Sequence, residues 1–350
     1  MLYEIISSLL KKADPEFSHH LAIQFLKKNF LPLHIFVSKP SKILETSLFG
    51  KIFRSPVGIA AGFDKNAEVY NSIFKLGFGF AEVGTITPIA QSGNPKPRVF
   101  RLTEDKAIIN RLGFPSVGMD EVYTRIHQNK PNGILGINIG PNKESTSKLD
   151  DYLKCFEKFC KLSDYICINI SSPNTPNLRD LHEKSKIEEL LKAIKVKQAE
   201  LNNSTPIILK ISPDITDNNI SELSDILLDQ KIDGIVLTNT TIGNRNDLRS
   251  KFKEEMGGLS GFPLQNTSNI IIQKFYKRLG NKIPIIGAGG VSDGKSAYEK
   301  IKSGASLVQL YTSFVYEGPY VANKINEELE DLLIKDGFQS LKEAVGADCI

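Results

Sequence analysis

Eight short apolar runs, each followed by a longer stretch of different character, govern the chain from residue 57 onward and restrict what it can become. They are Val57 to Ala60, Phe80 to Gly84, Ile134 to Ile139, Tyr165 to Ile170, Ile207 to Ile211, Gly234 to Thr238, Ile283 to Gly287 and Ser306 to Tyr311. The runs are continuous rather than alternating, which is the form of parallel strands covered on both faces. Between them, Ile187 to Leu201 and Ile220 to Gln230 have helical periodicity with charged outer faces. Repeated units of this kind predict the α/β class, as a (β/α)8 TIM barrel with an outer ring of helices. A doubly wound open sheet is the rival fold. Against it, no early strand runs into the GxGxxG turn that a dinucleotide fold places in its first unit.

Such a barrel takes roughly 250 residues, so a chain of 350 has room for an appendage. The division expected is a small N-terminal two-helix extension over residues 1–45 and a barrel over 46–350. Leu2, Ile5, Ile6, Leu9 and Leu10 form one amphipathic stripe. Asp14-Pro15-Glu16 then restarts the chain into a second stripe of Phe17, Leu21, Phe25 and Leu26. Lys11, Lys12, Lys27 and Lys28 lie near the ends of the pair. The pattern leaves two readings open, a helical pair packed on the barrel or a pair lying in a membrane interface.

Composition narrows the function. With 41% hydrophobic and 24% charged residues, the chain can bury a full core. Its 44 basic and 40 acidic residues nearly cancel and form no basic stripe, which argues against a nucleic-acid partner. Cys155, Cys160, Cys167 and Cys349 show no metal-binding spacing, so free thiols and no metal are expected. No run of 18 apolar residues predicts a spanning helix, and the first residues lack a secretory pattern.

Reacting groups of barrels sit at the C-terminal ends of the strands. Here those ends are polar: Ala60-Ala61-Gly62-Phe63-Asp64-Lys65, Gly84-Thr85, Asn138, Asn169 to Pro176, Lys210, and Thr238-Asn239-Thr240-Thr241. Recurring amides and hydroxyls at buried strand ends require partners. Together they read as a ring of donors and acceptors around a flat polar ligand. Gly287-Ala288-Gly289-Gly290 after strand seven, beside Gln309 to Thr312 after strand eight, reads as a phosphate site. Lys65 and Lys210 call for a negative partner, either an anionic ligand or a ring that gains charge on reduction. An internal ion pair is the competing reading, with Asp64 the suspect for Lys65. None of the five histidines ends a strand, which leaves Ser171 and Ser172 in a proline-bounded turn. A serine base needs a proton exit, such as a water or Thr175.

With these segments in place, the chain resembles the quinone-dependent (class 2) dihydroorotate dehydrogenases of bacteria over essentially its whole length. The matching motifs include Ala60 to Lys65, Gly84 to Pro88, Lys96 to Leu102, Asn110 to Phe114, Gly136 to Gly140, Asn169 to Pro176, Thr238 to Thr241, Gly257 to Gly261 and Pro284 to Gly290. The resemblance implies FMN across the barrel mouth. Its expected contacts are Ala61, Gly62, Phe63, Asp64, Lys65, Thr85, Asn138, Asn169, Lys210, Thr238, Gly261, Gly290, Tyr311 and Thr312. It implies dihydroorotate held by Lys65, Asn110, Arg111, Leu112, Gly113, Phe114, Asn169, Asn174, Asn239 and Thr240. Ser172 would be the base that takes the C5 proton as hydride leaves C6 for the flavin.

Soluble class 1 relatives carry cysteine at that position and lack the N-terminal helices. By resemblance, the extension here forms the mouth of a quinone tunnel, with His19, Arg101 and Tyr311 near the quinone. A peripheral contact with membrane lipid at the cytoplasmic side of the inner membrane follows, with a monomer as the expected assembly. Phe63 stands where many relatives have leucine, and Asn66 follows Lys65, departures that touch packing and no polar contact. Two rival functions remain: another FMN barrel reductase, which would use cysteine as its acid, and a non-enzymatic ligand-binding barrel.

Overall fold

The computed structural model describes residues 13–28, 37–172, 174, 184–243 and 245–349. Its thirteen strands are β1 Thr46–Leu48, β2 Lys51–Phe53, β3 Val57–Ile59, β4 Phe80–Ile86, β5 Val99–Leu102, β6 Ala107–Asn110, β7 Ile134–Ile139, β8 Tyr165–Asn169, β9 Ile207–Ile211, β10 Gly234–Leu237, β11 Gly258–Gly261, β12 Ile285–Ala288 and β13 Ala305–Leu310. Eight of them close a barrel in the order β3-β4-β7-β8-β9-β10-β12-β13 and back to β3, all neighbours parallel. These are the eight apolar runs of the sequence, in chain order, so the TIM barrel stands and the open sheet does not. Strand β12 begins at Ile285 rather than Ile283, because Pro284 has no N–H to give the ladder. The helices Lys184–Glu200 and Asp217–Asp229 lie where periodicity put them, the second capped by the Thr216 hydroxyl accepting from Asn219 N–H.

Two features carry no signal in the apolar pattern. Strands β1 and β2 form an antiparallel hairpin whose turn residues Phe49 and Gly50 both have positive φ, 54° and 70°. The hairpin delivers Phe53 against Phe80, ring centroids 5.4 Å apart, into a buried cluster with Tyr165, Cys167, Ile208, Val236, Ile286 and Leu307. That cluster plugs the barrel floor. The second feature is an antiparallel sheet β5-β6-β11, which rises beside the opposite end and brings Asn110 and Gly261 to the barrel mouth.

Of the N-terminal extension, the second helix is described, Pro15–Lys28. Asp14 caps it by accepting from Phe17 N–H at 2.8 Å, with proline in the first turn. Ile23 and Leu26 are buried, whereas Phe17, Leu21 and Phe25, spaced four residues apart, are 61%, 46% and 49% exposed. The stripe over residues 2–10 lies outside the described residues. Among those described, no helix is long and apolar enough to cross a membrane.

If the hairpin seals the floor, Phe53→Ala costs about 3–5 kcal/mol of unfolding free energy. Denaturant unfolding checks this, and a loss below about 1 kcal/mol would show that the floor stays closed without the ring.

Candidate active site

The polar strand ends converge as a connected network. Glu82, in the middle of β4, points into the barrel with 0% exposure. Its Oε1 accepts from Asn138 Nδ2 at 2.8 Å, and its Oε2 from Gln309 Nε2 at 2.9 Å and the Tyr165 hydroxyl at 3.1 Å. Lys210 Nζ stands 3.8 Å from Oε1. A buried carboxylate is tolerable only with such partners. Burial, and then Glu82 itself, push the Tyr165 phenol and the Cys167 thiol up, so both stay neutral.

One layer higher, Asn138 Oδ1 accepts from Thr85 Oγ1 at 2.6 Å and Asn169 Nδ2 at 3.2 Å. Asn169 Oδ1 accepts from the Ser171 hydroxyl at 3.0 Å, and Ser171 Oγ accepts from Asn239 Nδ2 at 2.8 Å. Each amide has its orientation fixed by the next. The start of the strand-four loop is tied across the cleft: Asn174 Nδ2 donates to the Asn110 carbonyl at 3.1 Å. Ser172, 5% exposed, faces the same space and accepts from Asn174 N–H at 3.2 Å.

Above this layer lies a cleft with about 1260 Å³ of empty space, part of it open to solvent. It is lined by Ala61, Gly62, Lys65, Thr85, Asn110, Leu112, Gly113, Phe114, Asn169, Ser172, Asn174, Lys210, Thr238, Asn239, Thr240, Gly261, Gly290, Tyr311 and Thr312. The four glycines among these, Gly62, Gly113, Gly261 and Gly290, all have positive φ, and Cβ atoms at Gly261 and Gly290 would fall 2.4 Å from the Lys106 carbonyl and 2.3 Å from Gln265 Cβ. Two buried polar atoms at its wall, Thr238 Oγ1 and Gln309 Oε1, have no hydrogen-bond partner among the described residues. Unpartnered buried acceptors and donors are rare and mark a place where a ligand supplies the bond.

Four expected site residues do not line this space. Phe63 is buried behind it, edge-on to Phe314 and to His19 at centroid distances of 4.8 and 5.3 Å. Asp64 does not bridge to Lys65, because its oxygens accept from the backbone N–H groups of Glu68 at 2.7 Å and Val69 at 2.8 Å. Burial pushes its carboxyl up. Asn138 supports Thr85 and Asn169 from below. Arg111 turns outward to Glu255 at 2.8 Å, over the Phe100 ring. Thr175 lies outside the described residues.

A second cavity opens between the helix Pro15–Lys28 and the barrel, lined by Glu16, His19, Phe63, Lys65, Arg98 and Tyr311 among others. Lys65 and Tyr311 border both spaces. Desolvation pulls the Lys65 ammonium down to about 8, partly offset by Glu16. Desolvation and then Lys65 pull His19 well below its ordinary value, so at neutral pH His19 is uncharged, its Nε2 3.4 Å from Lys65 Nζ. Arg98 holds the helix by bonding Glu16 at 2.9 and 3.1 Å. Arg101 reaches the Ala13 carbonyl and Ser18 Oγ, at the start of the same helix, and lines neither cavity.

Glu82, Gln309 and Tyr165 belong to the site although the strand-end reading passed over Glu82 and Tyr165. The signal for Glu82 was the one used for Lys210, a charge inside an apolar strand.

A family model described as dihydroorotate dehydrogenase matches residues 43–333. A protein of Rhodospirillum rubrum named dihydroorotate dehydrogenase (quinone) is 43% identical over 348 residues, covering 99% of this chain and 94% of its own. Another of that name, from Idiomarina loihiensis, is 45% identical over 340 residues, with 94% and 100% covered. A crystal structure of DHODH from Eimeria tenella in complex with ferulenol superposes with a TM-score of 0.92 at 37% identity, covering 98% of each chain.

The network makes its own prediction. Asn138→Ala removes the amide that joins Glu82 to Thr85 and Asn169, and should cost about 2–3 kcal/mol by stripping a charge-assisted bond from a buried carboxylate. Urea unfolding measures it, and a loss under about 0.5 kcal/mol would mean that Glu82 does not depend on Asn138.

Proposed function

Because the chain belongs to the dihydroorotate dehydrogenase family, we propose that it oxidises dihydroorotate to orotate in pyrimidine synthesis, using FMN in the central cleft and a membrane quinone as final acceptor. The observation that carries this reading is that one cleft gathers Ser172, Lys65, Asn169, Asn174 and Asn239 beside two unpartnered buried polar atoms. The residues present fit FMN. Thr238 Oγ1 and Gln309 Oε1 lack the partners that a heteroaromatic ring edge would provide. Gly261 and Gly290 put side-chain-free backbone on the cleft lining, where a phosphate can come close to N–H groups, while a Cβ on either would collide with the protein packed behind it. When bound, FMN accepts hydride from substrate C6 and later gives up its electrons to the quinone.

The chain's own groups do the rest. Lys65, Asn169, Asn174, Asn239 and Thr240, with Asn110 and the Leu112 to Phe114 turn, hold the substrate ring and carboxylate. Arg111 supports this turn from outside. Thr85, Lys210, Thr238 and Tyr311 line the cofactor's side of the cleft, with Ala61, Gly62, Gly261, Gly290 and Thr312. Lys210 offers positive charge where negative charge develops on reduction. Ser172 accepts the C5 proton. It is buried, lies within the same hydrogen-bonded loop as Asn174, and passes its proton outward, the role read for Thr175. The buried Cys155, Cys160 and Cys167 are absent from the cleft lining, which speaks against a cysteine acid.

The second cavity is the quinone's approach, reached past His19 and Tyr311, with Arg101 fastening the helix that roofs it. The exposed Phe17, Leu21 and Phe25 form an apolar face on that helix and support peripheral attachment to lipid, at the cytoplasmic side of the inner membrane. The working unit is a monomer.

Ser172→Ala should slow flavin reduction by dihydroorotate roughly 10²–10⁴-fold, the worth of a general base. Single-turnover stopped-flow at neutral pH reads this, and an unchanged rate assigns the proton to another group. Deleting residues 1–45 should abolish reduction of a long-chain quinone while dihydroorotate still bleaches the flavin. Full quinone activity in the truncated chain would remove the second cavity from the pathway.

A further inference from the structure

Lys300 lies on the helix Gly294–Lys302 with 0% of its surface exposed. Among the described residues it makes no ion pair with a carboxylate. Its Nζ donates to Asn269 Oδ1 at 2.7 Å and to Ser268 Oγ at 3.0 Å, both neutral. Ser268 donates onward to the Ala288 carbonyl at 2.6 Å, and the same carbonyl receives Thr238 N–H at 2.9 Å. Ala288 opens the loop whose Gly289 and Gly290 have φ of 107° and 78° and line the cleft. The lysine stem reaches this position because residue 287 is glycine: a Cβ there would sit 2.6 Å from Lys300 Cδ. The fold gives up a side chain within β12 to admit an ammonium behind the loop. As mere filler, a methionine would occupy similar space without any charge to desolvate.

We propose that Lys300 is the buried counter-charge for a phosphate held at the Gly289–Gly290 loop, acting through Ser268 and the Ala288 peptide. The inference rests on the FMN reading above and assigns the phosphate end a positioning residue that never touches it. The Ala288–Gly289 peptide is planar, so its N–H points away from the carbonyl that Ser268 holds. Hydrogen bonds in series polarise one another, and a cation at the head of the series strengthens that N–H as a donor to an anion.

Charge state follows from surroundings. Burial lowers the Lys300 ammonium to about 7, with Glu299 on the same helix the one acidic group that raises it. Glu299 itself accepts from Gln265 Nε2 at 2.9 Å. The neighbouring strand and helix present Gly287, Ser268 and Asn269, none titratable. A bound phosphate raises Lys300 again. Affinity for a phosphate-bearing ligand is therefore full below pH 7 and falls as pH rises above it. The second phosphate proton is lost near pH 6, so ligand charge is constant across that window.

The test titrates the full-length chain, freed of flavin, with FMN and with riboflavin, following flavin fluorescence from pH 7 to 9. The two ligands share the ring, so titration of Lys65 cancels in their affinity ratio. In the unmodified chain the FMN-to-riboflavin ratio should fall with pH, by up to about tenfold per unit. In Lys300→Met the ratio should be lower by about tenfold at pH 7 and flat with pH, with riboflavin affinity within about twofold of the unmodified chain. Equal losses for both flavins would reduce Lys300 to a packing role and overturn the proposal. So would a pH-independent ratio in the unmodified chain, a measurement that holds even if the variant fails to fold. If the unmodified chain binds neither flavin, the cofactor reading itself falls, and this inference with it.

Discussion

A carboxylate sealed inside a barrel organises everything above it. Glu82 receives Asn138, Gln309 and Tyr165 and faces Lys210, so side chains from four other barrel strands are oriented by one charge. From Asn138 the order passes to Thr85 and Asn169, and from Asn169 through Ser171 to Asn239. Each bond is individually modest, but Glu82, Asn138, Asn169 and Ser171 are buried, and the bonds fix which way round the Asn138 and Asn169 amides sit. The cleft wall is stiff because its polar groups are chained to a buried ion rather than free to reorient. A comparable arrangement appears at Lys300, where both hydrogen bonds from a buried ammonium go to neutral oxygens.

How much of this the sequence carried depends on the physics behind each element. The eight barrel strands were legible because burial on both faces writes itself as unbroken apolar runs. The polar strand ends were legible because amides inside such runs are anomalous. Strands β5, β6 and β11 were not, since Val99 to Leu102 and Gly258 to Gly261 are too short and too mixed to register a period. The β1–β2 hairpin was hidden for another reason: its turn is Phe49-Gly50, and a phenylalanine at positive φ is no turn signal. Asp64 misled by adjacency. Next to Lys65 in the chain, it faces the other way and holds the following turn. Phe17, Leu21 and Phe25 were read as one stripe with Leu26, yet only Leu26 is buried, so periodicity found the helix and not which side met the protein.

The helix Pro15–Lys28 links the two cavities to the surface chemistry. Arg98 and Arg101 fasten its first turn to β5 and its approach, while Lys65 and Tyr311 stand where the two spaces meet. An uncharged His19 beside Lys65 keeps that meeting point free of a second cation at neutral pH.

The plugged floor has a consequence for traffic. With Phe53, Phe80 and their neighbours filling the lower end, the barrel is a cup and offers no exit through its base. Whatever reacts in the central cleft therefore comes and goes at the upper end, over the rim or past Lys65 and Tyr311 where the second cavity meets it, so a closed base leaves two neighbouring ways in and none underneath.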